Sequence, residues 1–102
     1  DMPAEVYGFL NKERLNTTHH ALHAREMGYK NQAAYECAAC DFWANGAGDV
    51  YITAKAAYFY KYDPISQRFI SVDRNGVIHT FMPMKRSNFL RKIRDERLKK
   101  YD

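Results

Sequence analysis

Hydrophobic and polar positions along this chain of 102 residues change period near residue 48. Before it, apolar residues recur every three to four positions, as on one side of a helix. Beyond it they alternate or cluster, as in strands. Val6, Phe9 and Leu10 form the stripe of a first helix, with Asp1 as its cap and Pro3 in its first turn. Thr17 or Thr18 can cap a second helix running to about Met27, and Gly28 can end it in the left-handed conformation. Asn31 can cap a third helix reaching about Ala44, with Tyr35, Ala38, Ala39 and Phe42 at helical spacing. Gly46 and Gly48 break that pattern.

The second half carries strand chemistry. Val50 to Thr53 and Ala57 to Tyr60 are β-branched or aromatic. Asp63-Pro64 opens a turn, and Arg68 to Val72 alternates. Asn75-Gly76 marks a hairpin, and Val77 to Met82 returns as the next strand. Pro83 ends that strand or marks a sheet edge. A last helix is expected from about Ser87 to Tyr101, with Phe89, Leu90, Ile93 and Leu98 toward the core. The fold class that follows is α+β, with N-terminal helices packed on one face of an antiparallel sheet of about four strands. The other face is then free for a ligand.

Composition places few limits on this picture. Residues 1–102 fit one domain, with 46% hydrophobic and 27% charged residues. No apolar run approaches the roughly 20 residues needed to span a bilayer. The chain opens at Asp1 rather than methionine, so it is expected to be a piece of something longer. The net charge of +4 is compatible with a polyanionic partner, and its distribution says more. From residue 85 onward there are Lys85, Arg86, Arg91, Lys92, Arg94, Arg97, Lys99 and Lys100, opposed by Asp95, Glu96 and Asp102. That concentration reads either as a solvated helix face or as a phosphate-binding surface. The eight tyrosines could stack on bases, although most fit strands and the core edge.

Two clusters could carry chemistry. His19, His20 and His23 lie within five residues. On a helix, 19 and 23 share a face. Histidine can take and give a proton near neutrality, so the cluster suits acid–base work. It also suits metal binding, since histidines at i and i+4 are a common ligand pair, but no carboxylate at motif spacing accompanies it. Cys37 and Cys40 form a C-x-x-C inside the third expected helix. No second C-x-x-C follows, and they read as small residues on a buried face.

The run His19-His20-Ala21-Leu22-His23-Ala24-Arg25-Glu26-Met27-Gly28, followed by Tyr35 and by Ala38 to Phe42, resembles the helical half of the barnase/EndoU/colicin D/RelE-like ribonucleases. Many toxin members carry H-x-x-K-H-G-[KR]-[DE]-[LM]-G there. The stretch Phe69 to Pro83 is similar to their F-x-V-x-[DN]-x-x-G-x-I-x-T-[FY]-[FY]-x-P hairpin. The resemblance spans roughly residues 17 to 89. Leu22 stands where a lysine is frequent, Ala24 replaces a glycine, and Asn88 falls where a tyrosine often follows the proline.

The resemblance implies a single ribonuclease toxin domain that needs no metal and no cofactor. It implies an RNA substrate, with tRNA typical. His23 would transfer a proton, Thr80 would line the cleft, and Arg25 would be the basic position beside them. It also implies delivery to the cytoplasm of a target cell, from a secreted or cell-surface protein, and neutralisation by a cognate immunity protein. An acidic partner masking the surface near His23 and Lys85 would fit the charge.

The chemistry agrees. Metal-free RNA cleavage needs one group to take the 2′-hydroxyl proton, another to protonate the leaving 5′-oxygen, and donors for the phosphoryl charge. His23 with His19 or His20 can move the protons. The Thr80 hydroxyl can donate to a phosphoryl oxygen, and Arg25, Lys85 or Arg86 can supply charge. His79 is a rival on the substrate side. In a regular strand it points away from Thr80, so both face one cleft only if the strand is bulged. The alternatives are a nucleic-acid-binding module without catalysis, a metal-dependent DNase toxin built on the histidines, and a structural domain of a larger surface protein.

Overall fold

The structure is a computed structural model that describes residues 24–54 and 57–101. Residues 24–26 are helical, and Gly28 follows at φ +85°, the left-handed ending expected of it. Helix α1 spans Gln32–Asn45, and the Asn31 side chain caps it by accepting from the Ala34 N–H at 2.8 Å. Four strands follow, β1 Asp49–Ile52, β2 Tyr58–Asp63, β3 Arg68–Asp73 and β4 Ile78–Pro83. Helix α2 covers Arg86–Asp95, and β5 is Lys99–Lys100. The sheet is antiparallel in the order β4-β3-β2-β1-β5. The α+β expectation holds, with five strands rather than four.

The fifth strand corrects the reading of the C-terminus. The expected helix to Tyr101 stops at Asp95. Arg97 turns left-handed at φ +52°, and the Leu98 N–H donates to the Ile93 carbonyl at 3.0 Å. This is a Schellman-type ending with arginine where glycine is usual. Lys99 and Lys100 then pair with Ile52 and Tyr51. Leu98 is buried as expected, but from beyond the helix.

Strand alternation sorts the side chains onto two faces. On one face Phe59, Ile70, Val72, Ile78 and Phe81 pack against Ala24, Tyr35, Ala39, Phe42 and Trp43. The buried Tyr35 hydroxyl donates to the Phe81 carbonyl. That bond ties α1 to β4, an edge strand whose outward polar groups need partners. Lys61 also points to this face, and its ammonium donates to the Phe42 and Trp43 carbonyls at 3.1 and 3.2 Å. It thereby closes the carbonyl end of α1, where a cation is favoured. The cysteines do not sit on the buried side: Cys37 is exposed, Cys40 is half-buried, and neither is in a disulfide among the described residues.

The second face was expected to be free, and α2 covers half of it. Phe89 and Leu98 are buried against Tyr60, Tyr62 and Phe69, with Ile93 alongside. Phe89 stacks on Tyr62 with ring centroids 4.4 Å apart. Leu90, expected to point inward, is 52% exposed. The entry into β1 uses Gly48 at φ +114°, where a Cβ would stand 2.3 Å from the Tyr62 carbonyl oxygen. Only glycine lets the chain pass that close.

Candidate active site

The half of the second face that α2 leaves open is floored by β2, β3 and β4. Register places Tyr60 opposite Ser71, and Ser71 opposite Thr80, so these three share the face. Tyr58 lies opposite Asp73 in the next row. Between the two rows the pairing slips: Ser71 faces Thr80, yet Val72 faces Ile78. His79 is therefore an extra residue on β4. A bulge of this kind lets two consecutive side chains emerge on one face.

The consequence is visible in the contacts of His79. Its Nε2 lies 2.9 Å from the Asp73 Oδ2, and its ring meets the Tyr58 ring edge-on at 5.3 Å between centroids. Both partners belong to the face that carries Thr80. The regular-strand expectation, with His79 and Thr80 on opposite sides, is overturned by the one-residue slip.

Asp73 is held on both oxygens. Its Oδ1 accepts the N–H groups of Asn75 at 2.8 Å and Val77 at 3.0 Å, within the hairpin turn. The turn itself comes from the Asn75-Gly76 pair, with Gly76 at φ +83° and the Asp73 N–H donating to the Val77 carbonyl at 2.9 Å. Partial burial pushes the Asp73 carboxyl up. The bonds from His79, Val77 and Asn75 outweigh that and hold it below the usual carboxylate range. An anionic carboxylate fixed by its backbone and aimed at an imidazole orients the ring. The side chains of His79 and Asp73 keep 27% and 19% of their surface exposed, so the pair can be reached from solvent.

The wall beside this floor is α2. Lys92 bonds Glu96 at 2.6 Å and stands over the rings of Tyr60 and Phe69 at 5.1 and 5.7 Å. The Tyr60 hydroxyl donates to the other Glu96 oxygen at 2.7 Å. Burial, and then the Glu96 carboxylate, push the Tyr60 phenol well above its ordinary value, so it stays a donor.

The candidates read from the sequence are distributed as follows. Thr80 and His79 come together on the open floor. Lys85 and Arg86, both exposed, begin α2 on the same side of the sheet. Arg25 is exposed in the helical turn before Gly28, next to Ala24 of the opposite core. His19, His20 and His23 lie outside the described residues. Sequence reasoning missed Asp73, Tyr58, Ser71 and Lys92. Asp73 and His79 flank the Asn75-Gly76 turn, so counting outward along the hairpin could have paired them. The bulge left no such signal.

Among the described residues, no group of three or more histidine, cysteine, aspartate or glutamate side chains could hold a metal ion. None of their helices is long and apolar enough to cross a membrane. Comparison with protein-family models, with curated proteins and with solved structures finds no match for this chain.

Proposed function

We propose that this domain is an endoribonuclease that needs no metal, with His79 at the centre of its active site. The observation that carries the reading is the β4 bulge, which sets a carboxylate-backed histidine beside Thr80 on an open sheet face. In the proposed reaction the RNA 2′-hydroxyl loses its proton as its oxygen attacks the adjacent phosphorus. The P–O5′ bond breaks, the 5′-oxygen gains a proton, and a 2′,3′-cyclic phosphate remains. His79 makes one of these proton transfers, with Asp73 fixing its ring. Thr80 donates its hydroxyl to a non-bridging oxygen, where charge grows. The basic residues of α2, Lys85, Arg86, Arg91 and Lys92, lie on the same side of the sheet and attract the phosphate backbone. His23, with His19 or His20, is the sequence's candidate for the second proton transfer. The family resemblance supports tRNA as substrate, an immunity protein as partner, and delivery into a target cell as part of a larger protein.

The test is cleavage of total tRNA in EDTA by folded wild-type, His79→Ala and His23→Ala proteins. Wild type is expected to cut. Loss of His79 should slow cleavage by roughly 100- to 10,000-fold, the range for losing acid–base help. RNA left intact by wild type, though bound, would establish the non-catalytic binding module instead. A wild-type rate in His79→Ala would remove His79 from the chemistry.

A further inference from the structure

We propose that the groove between α2 and the β2–β3 turn docks an acidic protein partner, which anchors there through an inserted apolar side chain. Three large hydrophobic side chains are exposed among the described residues: Tyr58, Ile65 and Leu90. Tyr58 has a place beside His79. The other two border one open groove of about 420 Å³, floored in part by Phe89 and Tyr62. Ile65 is 93% exposed at the tip of a turn. That turn is built by other means: the Ile65 N–H donates to the Asp63 Oδ1 at 3.0 Å, and the Gln67 N–H donates to the Asp63 carbonyl at 2.7 Å. Nothing in it calls for an apolar side chain, and turn tips are ordinarily polar. Leu90 stands one helical turn after Arg86, on the same flank of α2. Two apolar lips around one groove are a feature of interaction surfaces.

Charge selects the kind of partner. The two carboxylates at the rim are already engaged: Asp49 pairs with Lys100 at 3.2 Å, and Asp63 accepts from its own turn. Arg86, on the groove, makes no ion pair among the described residues, nor does Arg91 on the same helix. A segment with an apolar anchor flanked by Asp or Glu meets both features. A nucleic-acid strand fits less well, because the lips are aliphatic and the rings of Tyr62 and Phe89 are stacked on each other. The groove stands over β1 and β2, whereas His79 and Thr80 are on β4. Its two apolar lips, Ile65 and Leu90, therefore lie outside the residues assigned to cleavage, while Arg86 is shared with the phosphate-attracting set.

The experiment pans a phage-displayed library of random peptides, each about 12 residues long, against the full chain, and measures Kd for the selected peptides by fluorescence anisotropy. The expected peptides carry Leu, Phe or Trp beside Asp or Glu. Ile65→Ser and Leu90→Ser should each weaken them about tenfold, as expected for a lost apolar anchor. Arg86→Glu should weaken them by a similar factor and reverse the acidic preference. Both side chains replaced by serine are exposed, so these variants should fold and keep the wild-type rate on tRNA. Peptides that bind the Ile65→Ser/Leu90→Ser double variant as tightly as wild type would overturn the proposal. So would a selection that enriches nothing over an unrelated control protein. Poly-uridine that competes for the groove and loses affinity in the same double variant would assign it to RNA instead.

Discussion

On the α1 side of the sheet, Tyr35, Trp43, Ile70, Val72, Ile78 and Phe81 are almost fully buried, and even the lysine there is spent on capping a helix. On the other side the strands carry Tyr58, Asp73, His79 and Thr80, all at least partly exposed, with Ser71 buried among them. One set of strands supports both surfaces because neighbouring residues point opposite ways. The difference teaches where chemistry can be placed. The first face consumes its polar groups in holding the fold, while the second keeps an ionised carboxylate, an imidazole and the Thr80 hydroxyl partly exposed. The bulge is the device that enlarges the second set at the expense of regular pairing.

The comparison breaks most severely if the second face is inert. Removing the imidazole with His79→Ala should cost roughly 100- to 10,000-fold in single-turnover cleavage, with the melting temperature close to wild type. Thr80→Ala should cost less, about 10- to 1,000-fold, since one donor to the phosphoryl oxygens is lost.

The first face should respond in stability. Phe81→Ala empties a site with no exposed surface, packed by Tyr29, Tyr35 and Phe42, and should destabilise the fold by about 3–5 kcal/mol in urea unfolding. Tyr35→Phe leaves the Phe81 carbonyl without its donor and should cost about 1–3 kcal/mol. Loss of cleavage in folded Tyr35→Phe, with stability unchanged, would show that the two faces are not separate in role.

The smallest effects lie in the pH dependence of stability. Asp73 is held below the usual carboxylate range, so its contribution is full above the ordinary value of 3.8 and is lost as pH falls through its lowered folded value. Asp73→Asn should flatten that acid limb. Burial, despite the bond to Phe81, pushes the Tyr35 phenol up, and burial together with Glu96 does the same for Tyr60. Above the ordinary value of 10.0 the unfolded chain ionises these phenols first, and stability falls as pH rises. Burial lowers Lys61, which has the opposite sign: stability rises between its lowered folded value and 10.5. Lys61→Met should abolish that rise. Urea unfolding below about pH 5 checks the acid limb and across about pH 9–12 the alkaline ones, and a wild-type alkaline limb in Tyr35→Phe/Tyr60→Phe would assign the loss to other groups.

Local signals along the chain were sufficient for much of the architecture. Asn31 before a run of helical spacing, Asn75-Gly76 between alternating segments, and Pro83 after the last long strand act through their own backbones, so α1, the β3–β4 hairpin and the end of β4 could be read directly. Thr80 was named from a resemblance, and His79 from its residue type beside it. The sequence alone determined the α+β class, the helical-to-strand switch near residue 48 and the basic C-terminal segment, because each depends on residues near one another in the chain. Tertiary structure decided the rest. The stop of α2 at Asp95, the pairing of Lys99 and Lys100 with β1, and the exposure of Leu90 depend on what each residue meets across the fold. So does the bulge that turns His79 toward Asp73: a one-residue slip between strands changes which face a side chain takes without changing any local propensity.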